Sequence, residues 1–410
     1  AELRLDKGLN LFLGLNAQGK TNLLESIYAA SAGGTYRAAR DADMIRWGRE
    51  LFRIDLDVER DPLPVRIEFS MSAAGRRFAR VNGSQRVRPS ELGDYLNVVM
   101  FTPDDLSLVK GAPSERRRFL DREIGQVSPA YRDWLDTYTR ALSQRNALLK
   151  QMGERGRGGD AHLLRAWDDQ LVGAGARITM RRSQVVADLS ARAHTAHMGI
   201  AADALDLALI YCPSVECGAG LDDTAAAFRR RLSELAVAEV ARGATLVGPH
   251  RDDLRFELDG VDVASFGSQG QQRSVVLALK LAEVGFVTHR AGQKPVLLLD
   301  DVLSELDAGR RTRLMELVET GCQALITSVE PGCVGLMPAG ARVFSISAGE
   351  VTDHGPSAGG CAAGDHISPG IHDAPERLDG AARVEQGDRS EPEGAFGGDN
   401  GQGTDPVRHD

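Results

Sequence analysis

One stretch of eight residues restricts this chain more than any other. Gly14-Leu15-Asn16-Ala17-Gln18-Gly19-Lys20-Thr21 fits the pattern Gly-x-x-x-x-Gly-Lys-Ser/Thr without a mismatch. The apolar run Leu9 to Leu13 before it reads as a buried strand, and from Thr21 to Tyr28 apolar residues recur at helical spacing. Strand, glycine loop and helix together turn backbone N–H groups inward and aim a positive helix end at an anion. In that setting Lys20 neutralises β- and γ-phosphate charge and Thr21 holds Mg²⁺. Asn22 follows on the first helical turn, so the candidate nucleotide contacts run from Gly14 through Leu15, Asn16, Ala17, Gln18, Gly19, Lys20 and Thr21 to Asn22. The expected cofactors are ATP and Mg²⁺.

A second nucleotide signal lies far along the chain. Val296-Leu297-Leu298-Leu299-Asp300-Asp301 is an apolar strand ending in two carboxylates. Asp300 is placed to reach the magnesium ion and Asp301 to orient or deprotonate an attacking water, which makes Asp301 and Lys20 the candidate catalytic pair. Carboxylates at a strand end also cap a following helix, so the motif alone has a plainer reading. It does not stand alone. Ser304-Glu305-Leu306-Asp307 follows at once, and Ser268-Gln269-Gly270-Gln271-Gln272-Arg273 opens a helix some 30 residues upstream. A hydroxyl at a helix amino terminus suits an anion, although the same serine is also a good polar cap.

The chain's 410 residues allow two or three folded units. No apolar run approaches the ~20 residues of a membrane span. The sequence begins Ala1-Glu2-Leu3-Arg4, without a basic-then-apolar leader, and a cytoplasmic location is expected. The cysteines at 212, 217, 322, 333 and 361 lack zinc-site spacing and are expected to be free thiols. The net charge of −9 would discourage a nucleic-acid partner were it evenly spread. From Thr352 onward, however, there are twelve carboxylates against four arginines, so the body is nearly neutral.

Between Phe52 and Val81 apolar and polar residues alternate, with turns at Asp61-Pro62 and Asn82-Gly83, and an antiparallel sheet is expected. From about Ser114 to Arg242 the alternation gives way to long helical stretches rich in Ala, Leu and Arg. After them a mixed sheet resumes: a strand over Leu254–Leu258, a helix from about Gln271 to Thr288, a strand at Val296–Leu299, a helix over Ala308–Glu319, and strands at Ala324–Thr327 and Arg342–Ser347. The expectation is an α/β fold: an ATPase lobe from residues 1–103 and 243–351, an inserted mainly helical lobe at 104–242, and a disordered acidic tail over 352–410.

The order of these motifs resembles the ABC-type ATPases. That resemblance implies that the serine and helix start of one subunit, Ser268, Gly270 and Gln271, together with Asp307, cover the γ-phosphate held by another. ATP then serves as a reversible switch for a homodimer. Further blocks resemble the RecF family in particular: Asn16 to Glu25, Phe101-Thr102-Pro103-Asp104-Asp105-Leu106, Pro113 to Asp121, Gly248-Pro249-His250-Arg251-Asp252-Asp253-Leu254, and Ser268 to Ser274. The resemblance implies a factor that binds DNA near single-strand gaps, dimerises with ATP, hydrolyses it slowly with stimulation by DNA, and works with RecR and RecO to load a RecA-type recombinase.

By the same resemblance Arg37 looks like an arginine that reaches the nucleotide, though an exposed loop arginine would read alike. Asp104 and Asp105 either couple nucleotide to lobe rotation or cap a helix. His250 and Arg251 either edge the nucleotide or brace the sheet. Thr327 and Ser328 end a strand where many ABC proteins carry a switch histidine. Family members open with two strands before the phosphate loop, and this sequence begins within the second. A transporter subunit would show Leu-Ser-Gly-Gly-Gln and a switch histidine, which are not seen. A cohesion-type protein needs hundreds of heptad residues where this insert has about 130. Another role for an ABC-type ATPase, or ATP binding by a noncatalytic scaffold, stays open on the sequence alone.

Overall fold

Leu9–Leu13 forms strand β1, with its first four residues buried, and Gly19 hands the chain to helix α1 (Lys20–Ala32). A computed structural model of the chain describes residues 2–36, 44–60, 62–83, 85–155, 161–201, 205–319, 321–330 and 337–357. After α1 come β2 (Leu51–Val58), β3 (Val65–Ser72), β4 (Arg77–Val81), β5 (Gln85–Val87) and β6 (Val98–Phe101). The helical segment holds the short α2 (Ser107–Lys110), then α3 (Pro113–Val127), α4 (Pro129–Arg155) and α5 (Ala161–Ile200), followed by β7 (Leu207–Cys212) and α6 (Leu221–Arg242). Next are β8 (Asp253–Leu258), β9 (Val261–Asp262), α7 (Val263–Phe266), α8 (Gln269–Ala291), β10 (Val296–Asp300), α9 (Ala308–Glu319), β11 (Ala324–Ser328), β12 (Arg342–Ser347) and β13 (Glu350–Pro356).

The central sheet has the order β13-β12-β1-β11-β10-β6, parallel throughout except for β13. Parallel strands are covered on both faces, which is why β10 and β11 read as unbroken apolar runs rather than alternating ones. Register decides the function. Leu13 lies beside Ser328, and Asp300 beside Thr327, so the phosphate loop, the acidic strand end and the end of β11 share one edge of the sheet. Open parallel sheets bind ligands at the carboxyl ends of their strands.

Strands β2 to β5 form the antiparallel sheet that the alternation predicts, with Ile67, Phe69, Met71, Ala79 and Val81 on its buried face. Ile67, Phe69, Ala79 and Val81 belong to one core cluster with the apolar side of α1, including Leu24, Ile27 and Tyr28. The other face of the central sheet shares a core with the helical segment. Leu11, Leu299 and Ile326 fall in the same cluster as Tyr131, Ile178 and Phe228. The change of secondary-structure type near residue 104 therefore does not interrupt the apolar core.

Three details depart from the sequence expectation. Leu207–Cys212 is a strand inside the segment expected to be helical, because a short apolar run does not by its period distinguish strand from helix. It pairs antiparallel with β8, which with β9 makes a separate three-stranded sheet instead of rejoining the central one. The boundary at Thr352 falls inside β13, whose pairing with β12 continues to Pro356 and includes an Arg342–Asp353 ion pair. Residues 358–410, the rest of the expected tail, lie outside the described residues, as do Arg37, Cys333 and Cys361. No described helix is long and apolar enough to cross a membrane.

Candidate nucleotide site

The phosphate loop has the backbone its glycines foretell. Gly19 sits at φ 102°, a left-handed conformation that costs a side-chain-bearing residue energy. At Gly14 a Cβ atom would lie 2.4 Å from the carbonyl oxygen of Ile346, so the strand-to-loop turn leaves no room for a side chain. Leu15, Asn16 and Ala17 are exposed at the loop crest, and Asn22 is exposed on the first turn of α1. The backbone N–H of Ala348 donates to Gln18 Oε1 at 2.5 Å, and the Gly349 N–H donates to the Gln18 carbonyl at 3.2 Å. The turn between β12 and β13 thus fastens one side of the loop.

Lys20 is buried, and its ammonium donates to the carbonyl oxygens of Gly14, at 2.5 Å, and Leu15, at 3.0 Å. Burial lowers its pKa, while the nearby charges of Asp301 and Asp300 act in the opposite sense. A partly desolvated cation hydrogen-bonded to loop carbonyls is suited to exchange them for phosphate oxygens.

Thr21 Oγ1 donates to the Asp300 carboxylate, 3.0 Å from each oxygen. Thr327 Oγ1 donates to Asp300 Oδ1 at 2.9 Å and accepts the Asp301 N–H at 2.9 Å. One hydroxyl of β11 therefore holds the Asp300 carboxylate and the Asp301 backbone together. Asp301 itself sits at φ 51°, tolerated by Asp more readily than by larger side chains. Its Oδ1 is buried, with no hydrogen-bond partner among the described residues. Burial chiefly, opposed by Lys20 and reinforced by Asp300 and Glu330, raises its pKa. A carboxylate with an unsatisfied oxygen and raised basicity can accept a proton or hold a water. Among the described residues no three His, Cys, Asp or Glu side chains converge as a metal cage. Thr21 and Asp300 instead offer the sparse oxygen set that suits Mg²⁺, which keeps several waters and takes further ligands from phosphates.

Ser268, Gly270, Gln271 and Asp307 gather at a second locus. Ser268 caps α8: its Oγ accepts the Gln271 N–H at 3.2 Å, and Gln271 Oε1 accepts the Ser268 N–H at 2.9 Å. Ser268 and Gly270 are exposed, so the helix start is open to an external anion. Asp307 joins this locus through Arg310, which reaches both Asp307 and Gly270. No sequence motif marks Arg310 as a site residue; the family resemblance picks out Thr327 at the switch-histidine position but not its bond to Asp300. For Thr327 a signal exists, since a threonine ending a strand parallel to an acidic strand must face that acid.

The remaining candidates separate cleanly. Asp105 is a buried helix cap, accepting the Thr102 N–H at 2.7 Å, and it also accepts the Tyr36 hydroxyl. His250 bonds to Tyr138 Oη at 2.6 Å and to the Thr245 carbonyl at 3.1 Å, and Arg251 Nη2 donates to that same carbonyl at 3.1 Å. Both brace the helical segment. Asp252, nearly fully buried, accepts from the Ser214 N–H, Arg182 and the Tyr211 hydroxyl.

Known proteins share this chain's sequence and fold. Residues 1–352 match the model of the RecF/RecN/SMC N-terminal domain. The DNA replication and repair protein RecF of Heliobacterium modesticaldum is 42% identical over 347 residues, spanning 84% of this chain and 93% of the relative. The protein of the same name from Bacillus subtilis is 40% identical over 330 residues, 80% of this chain and 89% of its own. A solved structure of the recombination mediator protein RecF with ATP, described within the RecFOR pathway, superposes with TM-score 0.79 at 33% identity, covering 86% of this chain and 92% of that one. With its ABC/SMC-type ATPase head and these relatives, the chain belongs to the RecF family of DNA replication and repair proteins.

Proposed function

We propose that this chain is an ATP-switched DNA-binding protein of recombinational repair. Two copies close on ATP and Mg²⁺, grip duplex DNA at single-strand gaps, and help RecO and RecR load a RecA-type recombinase. The observation that carries the reading is the pair of separate half-sites on one chain. One is a complete phosphate loop, with Lys20 and the Thr21–Asp300 pair. The other is an exposed serine-capped helix start. Each half lacks what the other has, which favours a composite site between copies.

In this reading Lys20 leaves its carbonyl partners for the β- and γ-phosphates, and Thr21 and Asp300 hold Mg²⁺, which supplies charge neutralisation on the phosphates. Asp301 orients the attacking water and takes its proton. The partner's Ser268, Gly270, Gln271 and Asp307 cover the γ-phosphate, and Arg37 reaches the nucleotide from the segment after α1. Thr327 stands where a switch histidine would otherwise polarise the γ-phosphate, which fits slow turnover. Residues 1–103 and 243–351 act as the ATPase lobe, and 104–242 as the helical lobe that turns against it.

Sedimentation velocity with and without ATP, Mg²⁺ and gapped duplex tests the proposal. A shift from monomer to dimer with ATP, and tighter binding of gapped DNA in the dimer, are expected. Unchanged sedimentation and ATP-independent DNA binding would overturn it. Affinity for DNA should also fall steeply with salt through counterion release.

A further inference from the structure

Arg310, on the first turn of α9, fastens the serine-capped turn to the Ser-x-Leu-Asp turn within one chain. Its Nη1 donates to Asp307 Oδ2 at 2.6 Å, its Nη2 to the Gly270 carbonyl at 3.1 Å and to Ser274 Oγ at 2.7 Å, and its Nε to Ser274 Oγ at 3.2 Å. Asp307 also caps α9, its Oδ1 accepting the Arg310 N–H at 3.0 Å. One planar guanidinium therefore spans two turns that lie 37 positions apart when counted from Gly270 to Asp307.

We propose that Arg310 is a positioning residue. It holds the start of α8 and the Asp307 turn as one rigid edge, so that both meet the triphosphate bound to a second copy of the chain in fixed relation. The inference deepens the proposed function and rests on its ATP-driven dimer. Three observations carry it. All three guanidinium nitrogens are engaged, and they join groups from both turns. The tip of α8 is already stiffened by the reciprocal Ser268–Gln271 bonds, so a tether at Gly270 transmits position to Ser268. Ser274 is buried, so its hydroxyl holds the inner end of the tether away from water, while the Asp307 side chain stays 59% exposed at the outer end. A lysine could not replace this fork, since an ammonium offers a compact point charge in place of planar, divergent donors.

The test uses the full chain with Arg310→Met, which keeps the apolar stem, and Ser274→Ala, which removes one acceptor with little change of volume. Binding of fluorescent ATP should stay within about twofold of the parent, because the phosphate loop is untouched, while the protein concentration for half-maximal ATP-dependent dimer rises roughly tenfold, or 1.4 kcal/mol. Ser274→Ala should shift it in the same direction by less, and Arg310→Lys should not rescue.

Mixing supplies the readout that a folding defect could not mimic. Lys20→Ala chains, inactive alone, and Arg310→Met chains, impaired alone at protein concentrations below their raised dimerisation midpoint, should gain turnover when mixed. In a two-fold dimer one composite site then pairs an intact phosphate loop with an intact edge, giving at most about a quarter of parental ATPase in an equal mixture. Lost ATP affinity in Arg310→Met, or parental dimerisation and turnover, overturns the assignment. If the parent chain itself fails to dimerise with ATP, the composite-site reading falls instead, and this inference with it.

Discussion

Thr21 and Asp300, 279 residues apart in sequence, meet with the threonine hydroxyl 3.0 Å from both oxygens of the carboxylate. The contact exists because β1 and β10 flank β11 in parallel register, which brings the phosphate loop and the acidic strand end to one edge. It joins the two groups proposed to hold Mg²⁺. Asp300→Asn keeps the shape and a hydrogen bond but removes the charge. Parental ATP affinity should tighten at least tenfold when Mg²⁺ replaces EDTA, and the variant should lose that gain together with roughly 100-fold in turnover. Titration of labelled ATP in both buffers measures it. An undiminished Mg²⁺ response in the variant would remove Asp300 from the metal site.

Ser268→Arg separates nucleotide binding from closure. The serine is exposed, and its cap on α8 contributes only about 1 kcal/mol, so the variant should fold. Bulk and positive charge at the helix tip should block apposition of the copies while ATP binding to the phosphate loop continues. Equilibrium sedimentation should find monomers with saturating ATP. Loss of ATP affinity itself would mean that Ser268 serves the nucleotide of its own chain.

Arg182 is the centre of the helical segment's polar network. Buried to 2% exposure, it bonds to Asp121 at 2.7 Å, Asp252 at 3.3 Å, the Pro249 carbonyl at 2.7 Å and Tyr131 Oη at 3.0 Å. Arg182→Met fills the volume but strands the buried Asp252 and the partly exposed Asp121, and breaking a buried pair costs about 3–5 kcal/mol. A large drop in the urea midpoint with an unchanged ATP affinity is expected. A loss under about 1 kcal/mol, the scale of an exposed pair, would show that the network around Asp252 holds without the guanidinium.

What the sequence made legible follows from locality. The phosphate loop and the cap at Ser268 are contiguous, and their residues define their own backbone, so Gly14, Gly19, Lys20 and Ser268 take the geometry their spacing implies. Asp300 and Asp301 were readable because two carboxylates directly follow an unbroken apolar run, marking the end of a buried strand. Arg310 was not, nor was the bond from Thr327 to Asp300, since both come from register between elements that one chain cannot reveal by spacing. β7 failed for a different reason: its six residues fit a strand or part of a helix, and only its pairing with β8 decides. His250 and Arg251 belong to a motif that looked chemical, yet their partners are Tyr138 and Thr245, and the motif's work is to knit the helical segment.

His250 should also give the fold a pH dependence of predictable sign. Burial chiefly, with Arg251, Arg117 and Arg145 nearby, pulls its imidazole down to about 4 from the ordinary 6.5. Its contacts suit a neutral ring: Nδ1 can accept from the Tyr138 hydroxyl while Nε2–H donates to the Thr245 carbonyl. A depressed folded-state value means that the unfolded chain binds the extra proton between pH 6.5 and 4. The stability due to this residue is therefore whole above pH 6.5 and is lost as pH falls toward 4. Between about pH 7 and 4.5 the parent should lose about 2–3 kcal/mol more than His250→Gln, which keeps polar contacts but has no titrating ring. Urea unfolding of both proteins at the two pH values measures the difference. Parallel losses would mean that His250 titrates normally and that Tyr138 adjusts to receive its proton.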